Sequence, residues 1–159
     1  MPDPESLLER LIRGRVDFVI VGGFAAVAHG ASLVTQDIDI CCDFAAKNIL
    51  RLQAALADLH PVHRMTPKRL SLQLTKESYR GLKNLYLETD LGQLDCLGEI
   101  LGVGTYNEAK KRSVTINLAG GRCRVLNIEA LIESKEAMGR PRDREAIVQL
   151  NAIKERKKP

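Results

Sequence analysis

Aromatic residues are scarce in this chain. Its 159 residues include three Phe, three Tyr and no Trp. Proteins that bind single-stranded nucleic acids without sequence preference stack successive bases on aromatic side chains. The composition therefore gives little support to a base-stacking platform.

Long apolar runs are also missing. The longest, residues 18–23 and 24–28, contain or adjoin glycine and fall far short of the roughly 20 residues that span a bilayer. The first residues lack the basic segment followed by an apolar segment that marks a secretory signal. We therefore expect a soluble, cytoplasmic protein that does not associate with a membrane.

The cysteines and histidines show no zinc-binding spacing. None of the four cysteines forms a C-x-x-C pair, and the three histidines do not complete a zinc pattern. Free Cys usually packs as a small hydrophobic residue. This favours buried free thiols at Cys41, Cys42, Cys96 and Cys123.

Charge is distributed unevenly along the chain. Residues 1–109 carry 11 basic and 14 acidic side chains, whereas residues 110–159 carry 13 and 6. A basic C-terminal third can attract a polyanion such as RNA or a nucleoside triphosphate. A solvated helix with a frayed Lys154–Lys158 tail explains the tail equally well.

Hydrophobic patterning predicts one α/β (α+β) domain over residues 1–159, with a mixed sheet, helices on one face and C-terminal helices. The chain length and 45% hydrophobic content suit a single compact core. The expected helices are residues 6–13, 24–29, 45–59, 128–138 and a last one reaching about 154. The expected strands are residues 18–21, 36–42, 70–75, 84–88, 93–97, 113–118 and 122–126, the last two forming a hairpin across residues 119–121.

Two acidic residues lie in the second expected strand. Asp37 and Asp39 are two positions apart, so on a strand both carboxylates project from one face while Ile38 and Ile40 enter the core. Their Cα atoms would be roughly 7 Å apart, which lets both reach one divalent ion or a pair of ions. The alternative is a solvent-facing strand edge with charged positions.

A glycine pair precedes this strand. The apolar run Phe18–Val21 leads into Gly22-Gly23 and a short helix, an arrangement that leaves backbone N–H groups free for phosphate. Glycine also permits close approach because it has no Cβ. Tight turns need glycine for steric reasons alone, so a glycine pair is weak evidence of phosphate binding. Its position before the Asp-x-Asp strand is what favours that interpretation.

These segments together resemble the signature of nucleotidyltransferases of the polymerase-beta superfamily. The matching residues are the apolar strand Val19–Val21, Gly22-Gly23, and the segment 35–40 with its Asp-x-Asp. Residues 126–135 and 139–143 also resemble the C-terminal helical part of that group. The resemblance covers residues 16–150 and is closest to small bacterial proteins of the minimal and abortive-infection-associated type, some of which act in toxin–antitoxin pairs.

The resemblance implies a nucleotide-binding, metal-binding transferase. Gly22, Gly23 and Thr35 would contact a nucleoside triphosphate such as ATP. Asp37 and Asp39 would hold divalent ions, Mg²⁺ or Mn²⁺. Such sites usually take a third carboxylate from a later strand, and Asp95 is the best match, since an Asp inside an apolar strand needs a partner or an ion to offset its desolvation.

Three further residues are candidates for the site. Asp90 and Glu99 are weaker candidates for the third carboxylate. Lys135 matches a lysine that lies near the nucleotide in similar proteins, and its other interpretation, a snorkelling or ion-paired helix residue, stays open.

Two residues depart from the family pattern, so an active enzyme and a catalytically degenerate member of the family are both considered. Leu33 stands where many relatives have Arg, and Gly23 where many have Ser.

The leading hypothesis is transfer of a nucleoside monophosphate to an acceptor hydroxyl on RNA, a protein or a small molecule. One ion would activate the acceptor oxygen and a second would stabilise the leaving pyrophosphate, while Asp95 would assist removal of the hydroxyl proton. The alternative is a catalytically degenerate module that binds nucleotide or a partner protein, such as an antitoxin or regulatory protein.

Overall fold

A computed structural model of the chain describes residues 2–75, 78–118 and 120–158. These residues form six α-helices and nine strands. The helices are α1 (Pro4–Arg13), α2 (Gly22–Ala28), α3 (Ala46–Leu56, continued by a 3-10 turn, Ala57–Leu59), α4 (Tyr106–Lys111), α5 (Ile128–Met138) and α6 (Asp143–Arg156). The strands are β1 (Phe18–Val21), β2 (Ile38–Cys42), β3 (Val62–His63), β4 (Asn84–Thr89), β5 (Gly92–Leu97), β6 (Glu99–Ile100), β7 (Gly104–Thr105), β8 (Ser113–Leu118) and β9 (Gly121–Leu126).

Seven of the strands form one mixed sheet in the order β3-β4-β5-β2-β1-β9-β8. The pairs β2–β5 and β1–β9 are parallel, and the other neighbouring pairs are antiparallel. β6 and β7 pair separately. The predicted mixed α/β class is confirmed.

The hydrophobic core is built around the central strands. All four residues of β1 are buried, as its uninterrupted apolar sequence predicts for a strand covered on both faces. α1 and α3 contact each other and contribute leucine and isoleucine side chains at helical spacing. The Asn48 side chain on α3 donates to the backbone oxygens of Asp17 and Asp43 and approaches the Cys42 sulfur, so α3 lies on the sheet face to which Cys42 points.

Several local predictions are confirmed. The bounds of β1, β8 and α5 agree with the expected ranges, and α5 begins after Asn127, whose Oδ1 accepts the Ala130 N–H at 2.8 Å. The four cysteines are free and buried. β8 and β9 form the predicted hairpin, although Ala119, expected in its turn, lies outside the described residues.

The strand predicted for residues 70–75 is wrong. Only one isolated bridge, between Ser71 and Val62, links this segment to the sheet. Leu74 instead exchanges two hydrogen bonds with the Gln53 side chain: its N–H donates to Gln53 Oε1 and its carbonyl accepts from Gln53 Nε2. A side-chain amide therefore takes the place of a neighbouring strand.

None of the helices within the described ranges combines the length and the apolar character that crossing a bilayer demands.

Candidate active site

A cleft of about 780 Å³ opens on the sheet face opposite α3, bordered by β2, β5, α5 and α6. All seven residues that the sequence pointed to as site residues line it. Gly22 and Gly23 begin α2, Thr35 and Asp37 precede β2, Asp39 lies on β2, Asp95 on β5 and Lys135 on α5. Segments far apart in the sequence therefore meet in one place.

The floor of the cleft is a row of residues that crosses the sheet. Asp39 on β2 lies opposite Val21 on β1 and opposite Asp95 on β5. Asp95 in turn lies opposite Tyr86 on β4. Residues directly opposite on adjacent strands project from the same face and have neighbouring side chains, so Asp39 and Asp95 lie side by side. Asp37 is exposed and immediately precedes β2.

Asp39 carries an uncompensated charge. Burial raises the pKa of Asp39 to about 6, helped by repulsion from Asp95 and then Asp37, while Arg140 and Arg64 oppose the shift. Within the described residues, the carboxylates of Asp37 and Asp39 form neither a hydrogen bond nor an ion pair. A cation near the Asp37 and Asp39 carboxylates would therefore be favoured electrostatically.

Asp95, by contrast, already has a cationic partner. Arg64 Nε and Nη2 donate to Asp95 Oδ1 and Oδ2 at 3.1 and 2.6 Å, and the two side chains are only 22% and 13% exposed. The Arg64 backbone N–H donates to the Tyr86 carbonyl, and its guanidinium lies 5.4 Å from the centroid of the Tyr86 ring. Sequence reasoning missed Arg64, because β3 has only two residues and no apolar alternation announces it.

Gly22 is required by the Asp39 carboxylate itself. Its φ is +68°, a left-handed conformation that favours glycine, and a Cβ there would lie 2.6 Å from Asp39 Oδ2. At Gly23 a Cβ would lie 3.4 Å from Thr35 Oγ1, and that hydroxyl donates to the Asp37 carbonyl at 3.4 Å. The glycine pair therefore lets the β1–α2 turn pack directly against the acidic segment.

The opposite wall is basic. Lys135 on α5 is 4% exposed, and its Nζ lies 3.7 Å from Asp143 Oδ1. Arg140 holds the same carboxylate through Nε and Nη2, at 2.7 and 3.1 Å. Burial alone would raise the pKa of Asp143, but hydrogen bonds and charge from Arg140, with Lys135 and Arg142 nearby, lower it. Burial lowers the pKa of Lys135, and Asp143 opposes that shift.

Of the other residues considered from the sequence, some line the cleft and others do not. Glu99 lines the cleft, as do Leu33 and the fully exposed Val34. Asp90 does not line it and pairs instead with His60, Nδ1 to Oδ2 at 2.6 Å. Lys135 is ion-paired and buried rather than snorkelling.

In comparisons with known proteins, no protein-family model and no curated protein matches the chain. The residues themselves define what the cleft can bind. Acidic groups at its floor suit a divalent cation, and basic groups on its wall suit an anion such as phosphate.

Proposed function

We propose that this protein is a metal-dependent nucleotidyltransferase of the polymerase-beta type. It would move a nucleoside monophosphate from a nucleoside triphosphate to an acceptor hydroxyl. The observation that carries the proposal is the convergence of Asp37, Asp39 and Asp95 in a cleft that also contains Gly22-Gly23 and the basic wall around Lys135. A metal–triphosphate complex requires both kinds of charge in one cleft.

The reaction is an in-line displacement at the α-phosphorus. The acceptor oxygen forms a bond to that phosphorus while the bond to the oxygen bridging the α- and β-phosphates breaks. Pyrophosphate leaves with the bonding electrons, and the acceptor hydroxyl gives up its proton. Asp95 would accept this proton, because each of its oxygens accepts one hydrogen bond from Arg64 and keeps a second lone pair.

The donor set fits Mg²⁺ or Mn²⁺. Mg²⁺ in nucleotide enzymes is commonly bound through one or two carboxylates together with substrate phosphates and water, and Asp37 and Asp39 supply two carboxylates without an ion-pair partner. Within the described ranges no three Asp, Glu, His or Cys side chains form a metal-binding group, so substrate phosphates and water would have to complete the coordination of the ion. A bound divalent ion would supply Lewis-acid stabilisation of charge on the phosphates.

The triphosphate would lie between the turn and the basic wall. Gly22, Gly23 and Thr35 line this side of the cleft, although the Asp39 carboxylate and the Thr35 side chain already lie next to the two glycines. Lys135 and Arg142 would contribute positive charge, and Arg140 would do so in part, since Asp143 engages it. Binding energy for the negatively charged leaving group would come from this wall.

Two observations favour a second candidate function. Arg64 is paired with Asp95, the carboxylate to which the family resemblance assigns a metal ion, and Leu33 lines the cleft at a position where many members of that family have Arg. Both features suit a non-catalytic module that binds nucleotide or a partner protein, such as an antitoxin.

Label transfer separates the two functions. The protein is incubated with each α-³²P-labelled ribonucleoside triphosphate, Mg²⁺ and cellular RNA, protein or small-molecule extract. We expect Mg²⁺-dependent transfer of label to one acceptor class, absent in Asp39→Asn and retained in Asp17→Asn, a matched change at an exposed residue outside the cleft. Tight triphosphate binding without transfer in any extract would support the non-catalytic module.

A further inference from the structure

Arg64 is held more firmly than a surface arginine. Its main-chain N–H is bonded to Tyr86, its guanidinium lies by the Tyr86 ring, and its ion pair with Asp95 is largely shielded from water. Exposed ion pairs contribute little because both side chains must be ordered in water. Here the planar guanidinium is already oriented for bidentate contact.

This pair restricts what else Asp95 can bind. Each of its oxygens accepts a hydrogen bond from Arg64. A divalent ion brought to the same carboxylate would also meet the positive charge of the guanidinium at close range. Asp95 is therefore a poor ligand for a metal ion as long as Arg64 is present.

The charges of the cleft floor balance with a single divalent ion. Asp37, Asp39 and Asp95 carry three negative charges at neutral pH when ionised, and Arg64 carries one positive charge. On the opposite wall Asp143 is paired with both Arg140 and Lys135, which leaves that wall positively charged. One divalent ion beside Asp37 and Asp39 would therefore balance the charge of the four floor residues Asp37, Asp39, Asp95 and Arg64.

We propose that Arg64 takes the place of a second divalent ion at Asp95, so that the cleft binds one metal ion, on Asp37 and Asp39, instead of two. Because this inference rests on the proposed function, its test must distinguish the number of metal ions from the existence of the metal site.

Manganese serves as the probe because its electron paramagnetic resonance reports both free ion and coupled ion pairs. Mn²⁺ is titrated into the full chain carrying Arg64→Gln, Arg64→Lys or Arg112→Gln, and into the parent. Arg112 is a matched control, since it is also ion-paired, to Glu133, and lies outside the cleft. We expect one Mn²⁺ per chain for the parent, Arg64→Lys and Arg112→Gln, and two, with an exchange-coupled spectrum, for Arg64→Gln.

Thermal melting keeps the test decisive if Arg64→Gln is unstable. Without Arg64, the largely buried Asp95 charge lacks its partner, so the variant should melt below the parent in the absence of metal. Saturating Mn²⁺ should then raise its Tm by more than it raises the parent's.

Three results would overturn the inference. Two Mn²⁺ ions on the parent, or a single ion on a folded Arg64→Gln, would refute the role of Arg64 while leaving the proposed function standing. No Mn²⁺ bound to the parent, even with triphosphate present, would refute the metal site and the proposed function together.

Discussion

At the scale of single residues, Asp39 links the cleft to the stability of the whole chain. Its pKa of about 6 lies above the value of 3.8 expected for an unperturbed Asp. Between these values the unfolded chain has lost the proton while the folded chain keeps it, so stability falls as pH rises. Below both values the penalty is absent, and above both it is complete.

Removing this charge should therefore stabilise the metal-free protein. We expect Asp39→Asn to melt higher than the parent at pH 8, by about 1 to 3 kcal/mol in unfolding free energy, and to lose that advantage near pH 4. Thermal melts with chelator present, at a series of pH values, measure the difference. Asp17→Asn serves as the control and should show no comparable gain. An Asp39→Asn that melts lower than the parent at pH 8 would show that Asp39 is not under electrostatic strain.

Lys135 gives a second residue-level test. Lys135→Met keeps a long apolar stem in a buried position, and Asp143 retains Arg140. The variant should stay folded but bind the Mg²⁺–triphosphate complex roughly tenfold more weakly, because a charged contact to phosphate is lost. Calorimetric titration beside the exposed control Lys110→Met measures this. Unchanged affinity would assign Lys135 to the ion pair with Asp143 alone.

At the scale of elements, the turn from β1 into α2 depends on Gly22 for two separable reasons. Gly22 and Gly81 both have positive φ, +68° and +79°, but a Cβ at Gly81 would meet no atom within 4 Å, whereas at Gly22 it would meet Asp39. Gly81→Ala measures backbone strain, about 1 kcal/mol. Gly22→Ala adds the clash.

We therefore expect Gly22→Ala to lower the unfolding free energy by more than Gly81→Ala does, and to weaken Mg²⁺-dependent triphosphate binding as well. Urea denaturation and calorimetry of the two variants provide the comparison. Equal losses of stability, with triphosphate binding intact in both, would mean that the turn does not hold Asp39 in place.

Elements with strong local signals could be predicted from the sequence. The apolar, β-branched sequence of β1 predicts a strand buried on both faces, as in the middle of a sheet. Asn127 is a favoured N-cap residue, and its Oδ1 accepts the Ala130 N–H at the start of α5. The Asp-x-Asp spacing singled out Asp37 and Asp39, whereas Asp95 was selected because the family resemblance implies a third carboxylate from a later strand and Asp95 lies inside an apolar strand. Short elements such as β3, β6 and β7 carry too few residues for periodicity to show.

What the sequence could not supply is register between distant strands. The position of Asp95 beside Asp39 follows from parallel pairing of β2 with β5, and that of Arg64 from the pairing of β3 with β4. The general argument that a strand Asp needs a partner or an ion held for Asp95, but only the fold identifies Arg64 as the partner. Similarly, the alternating leucines of residues 70–75 matched strand periodicity, but the Gln53 side chain, and not a neighbouring strand, bonds the backbone of Leu74.

At the scale of the whole molecule, the basic C-terminal third bears on the acceptor. Arg142 is exposed at the cleft, whereas Arg140 is engaged by Asp143. If the acceptor is RNA, binding should weaken steeply with salt, and Arg142→Ala should reduce the log–log slope by about 0.7 to 0.9. Arg13→Ala, on α1 outside the cleft, should leave the slope unchanged. Fluorescence anisotropy over a range of salt concentrations tests this, and a flat dependence in the parent would exclude RNA.

The most direct measurement of the proposed function is calorimetric binding of the four ribonucleoside triphosphates, with and without Mg²⁺, to the parent and to Asp39→Asn. An acidic pair facing the triphosphate should repel it unless a divalent ion lies between them. We expect at least one triphosphate to bind the parent with Mg²⁺, to bind it far more weakly with chelator, and to bind Asp39→Asn weakly in both conditions. Equal affinity with and without Mg²⁺, or an Asp39→Asn that responds to Mg²⁺ as the parent does, would contradict the assignment of this cleft as a nucleotidyltransferase site.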